Sequence, residues 1–172
     1  HDRHVVYLQH TLRGLYDTYP AALPSVPDEV PRSVSPLWDL VRRPALDRSA
    51  LPDLLGHLEA LRIDDTIPDS VKAKLVAFPG PFARAVVHAL DRIGLAQQSI
   101  SRYLAISQTV AQREDYFPPG AAIEVVPHPP DLEGFRREPG EFIFTASRLD
   151  GPKRLDLLIR AYRRCRTDVP LV

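Results

Sequence analysis

The chain has 172 residues, 44% hydrophobic and 26% charged, values of an ordinary globular protein that buries a core. Its 22 basic and 22 acidic residues cancel, which excludes recruitment of nucleic acid or anionic membrane by overall basicity. No apolar run reaches the roughly 18 to 20 residues of a membrane span, and His1-Asp2-Arg3-His4 lacks the profile of a signal peptide. Cys165 is the single cysteine, which excludes an internal disulfide and fits a reducing compartment. Methionine is absent altogether, so the chain is expected to be a portion of something longer. The charge is unevenly placed: residues 1–147 carry 15 basic and 19 acidic groups, while 148–172 carry 7 and 3. A local basic excess suits an anionic ligand, and equally a solvated helix face.

In chain order, Val5-Val6-Tyr7-Leu8-Gln9 predicts a short strand buried on both faces, ending at His10-Thr11. Seven prolines between 20 and 52 forbid a continuous helix or a central strand there and predict a long excursion. Leu51, Leu54, Leu55, Leu58 and Leu61 return at helical spacing, and Phe82, Val86, Val87, Leu90 and Ile93 do so again behind Pro81. Tyr103–Ile106 predicts a strand, Ser107 a cap for a helix from Gln108 to about Tyr116, and Ile123–Val126 another strand. The turn-rich stretch that follows, with Pro129-Pro130 and Glu138-Pro139-Gly140, has the composition of an interdomain linker. Beyond it, Phe142–Thr145 predicts a strand, Leu155, Leu158, Ile159 and Tyr162 one face of a helix, and Val169–Val172 a further strand. Strand, loop, helix and strand compose a βαβ unit, the seed of a parallel sheet. The expected division is therefore an amino-terminal α/β portion over 1–126, a linker over 127–140, and the start of a second α/β portion over 141–172.

The loop Ser147-Arg148-Leu149-Asp150-Gly151-Pro152-Lys153-Arg154 lies between a strand end and a helix start, where open α/β sheets take ligands and helix amides favour anions. Arg148 offers a planar fork and Lys153 a point charge, five residues apart across a Gly-Pro turn. Both can reach one diphosphate. The competing reading is an exposed loop with ordinary surface cations.

Four segments in order, "YLQHTLRGLYD" (7–17), "YLAISQTVAQREDYFPP" (103–119), "VVPHPPDLEGF" (125–135) and "FTASRLDGPKRLDLLIRA" (144–161), resemble the retaining glycosyltransferases of family 4, especially the mannosyltransferase-like branch. The resemblance covers most of 1–19 and 103–172, while 20–102 matches poorly. It implies an α/β fold holding parts of two Rossmann-like domains of a GT-B architecture joined by a linker. It further implies transfer of a hexose from a nucleotide-sugar donor to a glycan, lipid-linked or small-molecule acceptor, without nucleic acid and without a metal or other cofactor. Arg148 and Lys153 would hold the donor diphosphate, His10 would act beside the transferred sugar as the catalytic contact, and Thr11 would assist. The implied location is the cytoplasm, including peripheral contact with the inner membrane face. Two departures from the family pattern are Arg154, where many members carry glycine, and Ala146-Ser147, which replaces a common glycine at the strand end. The alternative from another class is a noncatalytic α/β module that binds a phosphorylated ligand or a partner protein.

Other candidates are weaker. His1 and His4 lack acidic or cysteine partners at metal-ligand spacing. Asp64-Asp65 reads as a solvated cap, Ser107 lies outside a nucleophile elbow, and Cys165 sits among arginines without a histidine-containing motif.

Overall fold

The computed structural model describes residues 4–130, 134 and 140–172. The chain divides into two compact units, one ending at Pro129 and the other starting at Pro130. The architecture is mixed α/β, with a three-stranded parallel sheet and six α-helices among the described residues.

In the first unit the sheet runs β1 (His4–Leu8), β2 (Ile100–Ala105) and β3 (Ile123–Val125), in that spatial order. Val6 lies opposite Tyr103, and Tyr103 opposite Ile123. β1 corrects the expectation of burial on both faces: Val6 and Leu8 are half-buried, whereas Val5 is 55% exposed and Tyr7 is exposed as well. A continuous Val-Val-Tyr-Leu run suits either a central strand or an outer one, and here β1 pairs only with β2 and turns one face to the core. The open face is tied by a Tyr7 hydroxyl donating to the Val126 carbonyl at 2.9 Å and by an Arg102–Glu124 ion pair.

The excursion between β1 and β2 is a helical layer. It consists of α1 (Ser35–Val41), α2 (Leu51–Ile63), α3 (Asp69–Leu75) and α4 (Pro81–Gly94). Prolines at 36, 52 and 81 fall in first turns, where the missing N–H has no partner to lose. The prolines thus divide the segment into short helices, and α1 and α3 go beyond the helices that apolar spacing predicted. Leu37, Leu40, Leu54, Leu61, Phe82 and Ala89 build one buried cluster, against which Trp38 packs. A second cluster, Leu15, Tyr16, Ala105, Val110 and Tyr116, lies on the covered face of the sheet, and Val87 of α4 packs against it.

Ser107 caps as expected, its hydroxyl accepting from the Val110 amide at 3.2 Å, but α5 (Gln108–Ala111) ends well before Tyr116. Asp115 adopts φ +61°, and Tyr116 is wholly buried. Its tertiary packing outweighs continued helix.

In the second unit the strand pairing is shorter than expected: a parallel bridge joins Ile143 to Leu171, with the Ile143 amide donating to the Pro170 carbonyl and the Thr145 amide to the Val172 carbonyl. α6 (Leu155–Arg164) lies between these segments in sequence. Leu155, Leu158 and Tyr162 are half-buried, but Ile159, expected on the same face, is exposed. Much of the expected linker, residues 131–133 and 135–139, lies outside the described residues.

Candidate functional site

The candidate residues fall in two places, one in each unit. After β1 the chain passes through His10 and Thr11 into the turn Arg13–Leu15. His10 is exposed, and its Nδ1 lies 2.9 Å from the Thr11 carbonyl oxygen. A carbonyl only accepts, so Nδ1 is the donor in this contact. Thr11 is half-buried, and its buried Oγ1 has no hydrogen-bond partner. Both residues line a groove of about 490 Å³ shared with Val87, Asp91, Gly94 and Leu95.

The next residues hold this segment in place. Asp17 accepts from Arg13 through Nε at 3.1 Å and through a terminal nitrogen at 2.8 Å, and from the Tyr116 hydroxyl at 2.7 Å, with Arg113 at 3.6 Å. The hydrogen bonds from Arg13, then that from Tyr116 and the charge of Arg113, hold its carboxyl down at about 2, against the opposing effect of burial. Tyr16 stacks on His88 with ring centres 3.9 Å apart and donates to Asp91 at 2.6 Å. Burial first, and then Asp91, push its hydroxyl far above the usual tyrosine range. The His88 Nε2 donates to the Leu15 carbonyl at 2.8 Å, and burial lowers the affinity of the ring for a second proton. Arg13, Tyr16 and Asp17, part of the first segment of the family resemblance, are therefore anchors that fasten the chain after β1 onto α4 and the 113–116 turn. Sequence reading passed over this role.

In the second unit, the loop 147–154 leads into α6. Arg148 has a side chain 84% exposed, with Asp150 at 3.8 Å, a distance at which an exposed pair contributes little. Lys153 ends the single 3-10 turn Gly151–Lys153 and has no carboxylate partner among the described residues. Arg154 then adopts φ +48° and ψ +39°, the left-handed region that favours glycine, and its guanidinium pairs with Asp156 at 3.0 Å. Among side chains none caps the start of α6. The loop thus presents two exposed cations, Arg148 and Lys153, ahead of α6, whose Leu157 and Leu158 amides donate to the Arg154 carbonyl.

Of the weaker candidates, Asp64 accepts from the Thr66 amide at 2.9 Å and from its hydroxyl, a turn-forming role that lowers its pKa. Cys165 is exposed and unpaired, and His1 lies outside the described residues. Among the described residues, no cluster of three or more His, Cys, Asp or Glu side chains is placed to hold a metal ion, and no helix is long and apolar enough to cross a membrane. Comparison with protein-family profiles, with characterised proteins and with solved structures finds no match to this chain. The chain is mixed α/β with a parallel sheet, carrying a largely apolar groove edged by His10, Thr11 and Asp91 in one unit and a cationic loop in the other.

Proposed function

We propose that the chain is a portion of a retaining glycosyltransferase that uses a nucleotide-sugar donor, its two units corresponding to parts of two Rossmann-like domains. The observation that carries this reading is the backbone of the loop 147–154. Arg154, at the position where the resembled family carries glycine, takes the left-handed conformation that glycine serves, directly after a turn that leaves Arg148 and Lys153 without strong partners. Parallel pairing of Ile143 with Leu171 supports the βαβ unit that such a loop requires.

Breaking the bond between the anomeric carbon and the donor diphosphate leaves negative charge on the departing oxygen. Arg148 would offer its fork to two phosphate oxygens and Lys153 would take a third. Preorganised in this way, the two cations take the role that a divalent metal fills in other transferases. His10 would contact a hydroxyl of the transferred sugar, and Thr11 would add its buried Oγ1. The acceptor is a glycan, a lipid-linked sugar or a small molecule, and the reaction is placed in the cytoplasm or at the inner membrane face.

Titration calorimetry with UDP, GDP and their hexose conjugates tests the loop. Arg148→Ala and Lys153→Ala should each weaken binding by about 1.5 to 3 kcal/mol, the worth of a charge-assisted contact. In the full-length enzyme, His10→Ala should leave nucleotide affinity unchanged and lower kcat, whereas this portion alone should show no transferase turnover. Wild-type affinity in both loop variants would end the diphosphate assignment.

A further inference from the structure

A cavity of about 320 Å³ lies in the first unit, beside α4. Its charged lining is of one sign. Arg42 and Arg43 enter from the end of α1, Arg84 and Arg92 from α4, and no Asp or Glu joins them. None of the four forms an ion pair among the described residues. Each structural contact they make is to a neutral group. Arg84 donates to the Leu15 carbonyl at 2.9 Å and stacks over Tyr19, Arg92 donates to the Val41 carbonyl at 2.5 Å, and Arg42 lies over Trp38. These contacts hold Arg42, Arg84 and Arg92 through neutral partners. The Nε of Arg92 is buried and has no hydrogen-bond partner among the described residues, a donor left unsatisfied at a cost folding normally avoids. His88, on the same face of α4, donates its Nε2 proton to the Leu15 carbonyl and adds no negative charge. Asp115 acts on Arg92 from outside this lining.

We infer that this cavity binds the phosphoryl group of a small soluble phosphate monoester. Two features select a phosphate over a carboxylate. A monoester dianion matches several cations better than a single negative charge does, and its three free oxygens accept from forks arriving on several sides, where a carboxylate offers two. The volume exceeds that of a phosphate ion, and Trp38, Pro44, Pro81 and Ala85 supply an apolar wall for a small organic body. Arg148 and Lys153 belong to the other unit.

The test is calorimetry of the 172-residue chain with inorganic phosphate and with glycerol 1-phosphate. A parallel sedimentation assay uses phosphatidylcholine vesicles with and without phosphatidylglycerol. Saturable binding of both soluble phosphates is expected. The double variant Arg42→Gln/Arg43→Gln, which alters two exposed side chains, should weaken it about tenfold or more, while Arg148→Ala/Lys153→Ala should leave it within about twofold. In the unaltered protein, nitrogen-detected titration should move the Arg92 Nε–H signal, a readout that needs no variant. The inference is overturned if soluble phosphate fails to saturate or if only anionic vesicles bind. It is equally overturned if binding follows Arg148 and Lys153 instead of Arg42 and Arg43, or if the Arg92 signal stays fixed at saturation.

Discussion

Replacing Asp17 by Asn removes the charge at the centre of the Arg13–Tyr116–Arg113 cluster while keeping the shape and an oxygen for the Tyr116 hydroxyl. Asp17 titrates at about 2 in the folded protein, against an ordinary aspartate value of 3.8. A difference of that size corresponds to about 2.5 kcal/mol of pH-dependent stability. The Asp17 side chain is 26% exposed and that of Arg13 47%, so solvent screening brings the expected loss at pH 7 down to about 1–2 kcal/mol. Because the folded carboxyl binds its proton more weakly than the unfolded one, the stabilisation is complete above the unfolded value. It fades as pH falls through 3.8 and is gone below about 2. Urea unfolding followed by fluorescence of Trp38, the single tryptophan, reads the first unit directly, since this ring packs on its helical cluster. Measured from pH 7 to pH 2, the wild type and Asp17→Asn should differ most at neutral pH and converge in acid. A gap that stays constant across that range would show that Asp17 acts through packing, and would refute the charge-based account.

Leu54 is wholly buried in the helical cluster, so Leu54→Ala should cost about 2–5 kcal/mol in the same unfolding assay; a loss under about 1 kcal/mol would mean that the cluster closes over the gap. Arg154→Gly relieves a left-handed residue and gives up only an exposed ion pair with Asp156. It should stabilise the start of α6 by up to about 1 kcal/mol, seen as slower amide exchange at Leu157 and Leu158, whereas faster exchange there would contradict the strain argument.

The elements most legible in the sequence were those with long local patterns. α2 follows from leucines at helical spacing, α4 from the same spacing behind Pro81, and the Ser107 cap from residue type alone. α1 and α3 were hidden because each is seven residues long and set among prolines, too short for a period to stand out. The early end of α5 is decided by Tyr116, whose hydroxyl meets Asp17 from 99 residues away. Nothing local signals that contact. The same holds for the candidate sites. His10 and Arg148 stand at strand ends and read as cleft residues from topology, whereas the cavity arginines lie at 42, 43, 84 and 92 and share a wall only because α1 packs on α4. Chain-distant charges converge through tertiary packing, which a linear pattern does not contain.

Among the described residues, α4 is the one element that packs against both buried clusters, and this gives the proline-rich excursion a duty that its sequence conceals. Phe82, Val86, Ala89 and Ile93 face residues from 34 to 75, while Val87 faces the sheet. The excursion is thus a buttress rather than an ornament. Excising it would strip one side of the helix on which Asp91 receives the Tyr16 hydroxyl and His88 meets Leu15, and on which Val87 and Asp91 line the groove beside His10. The leucines and valines of residues 34–75 are what keep that helix seated.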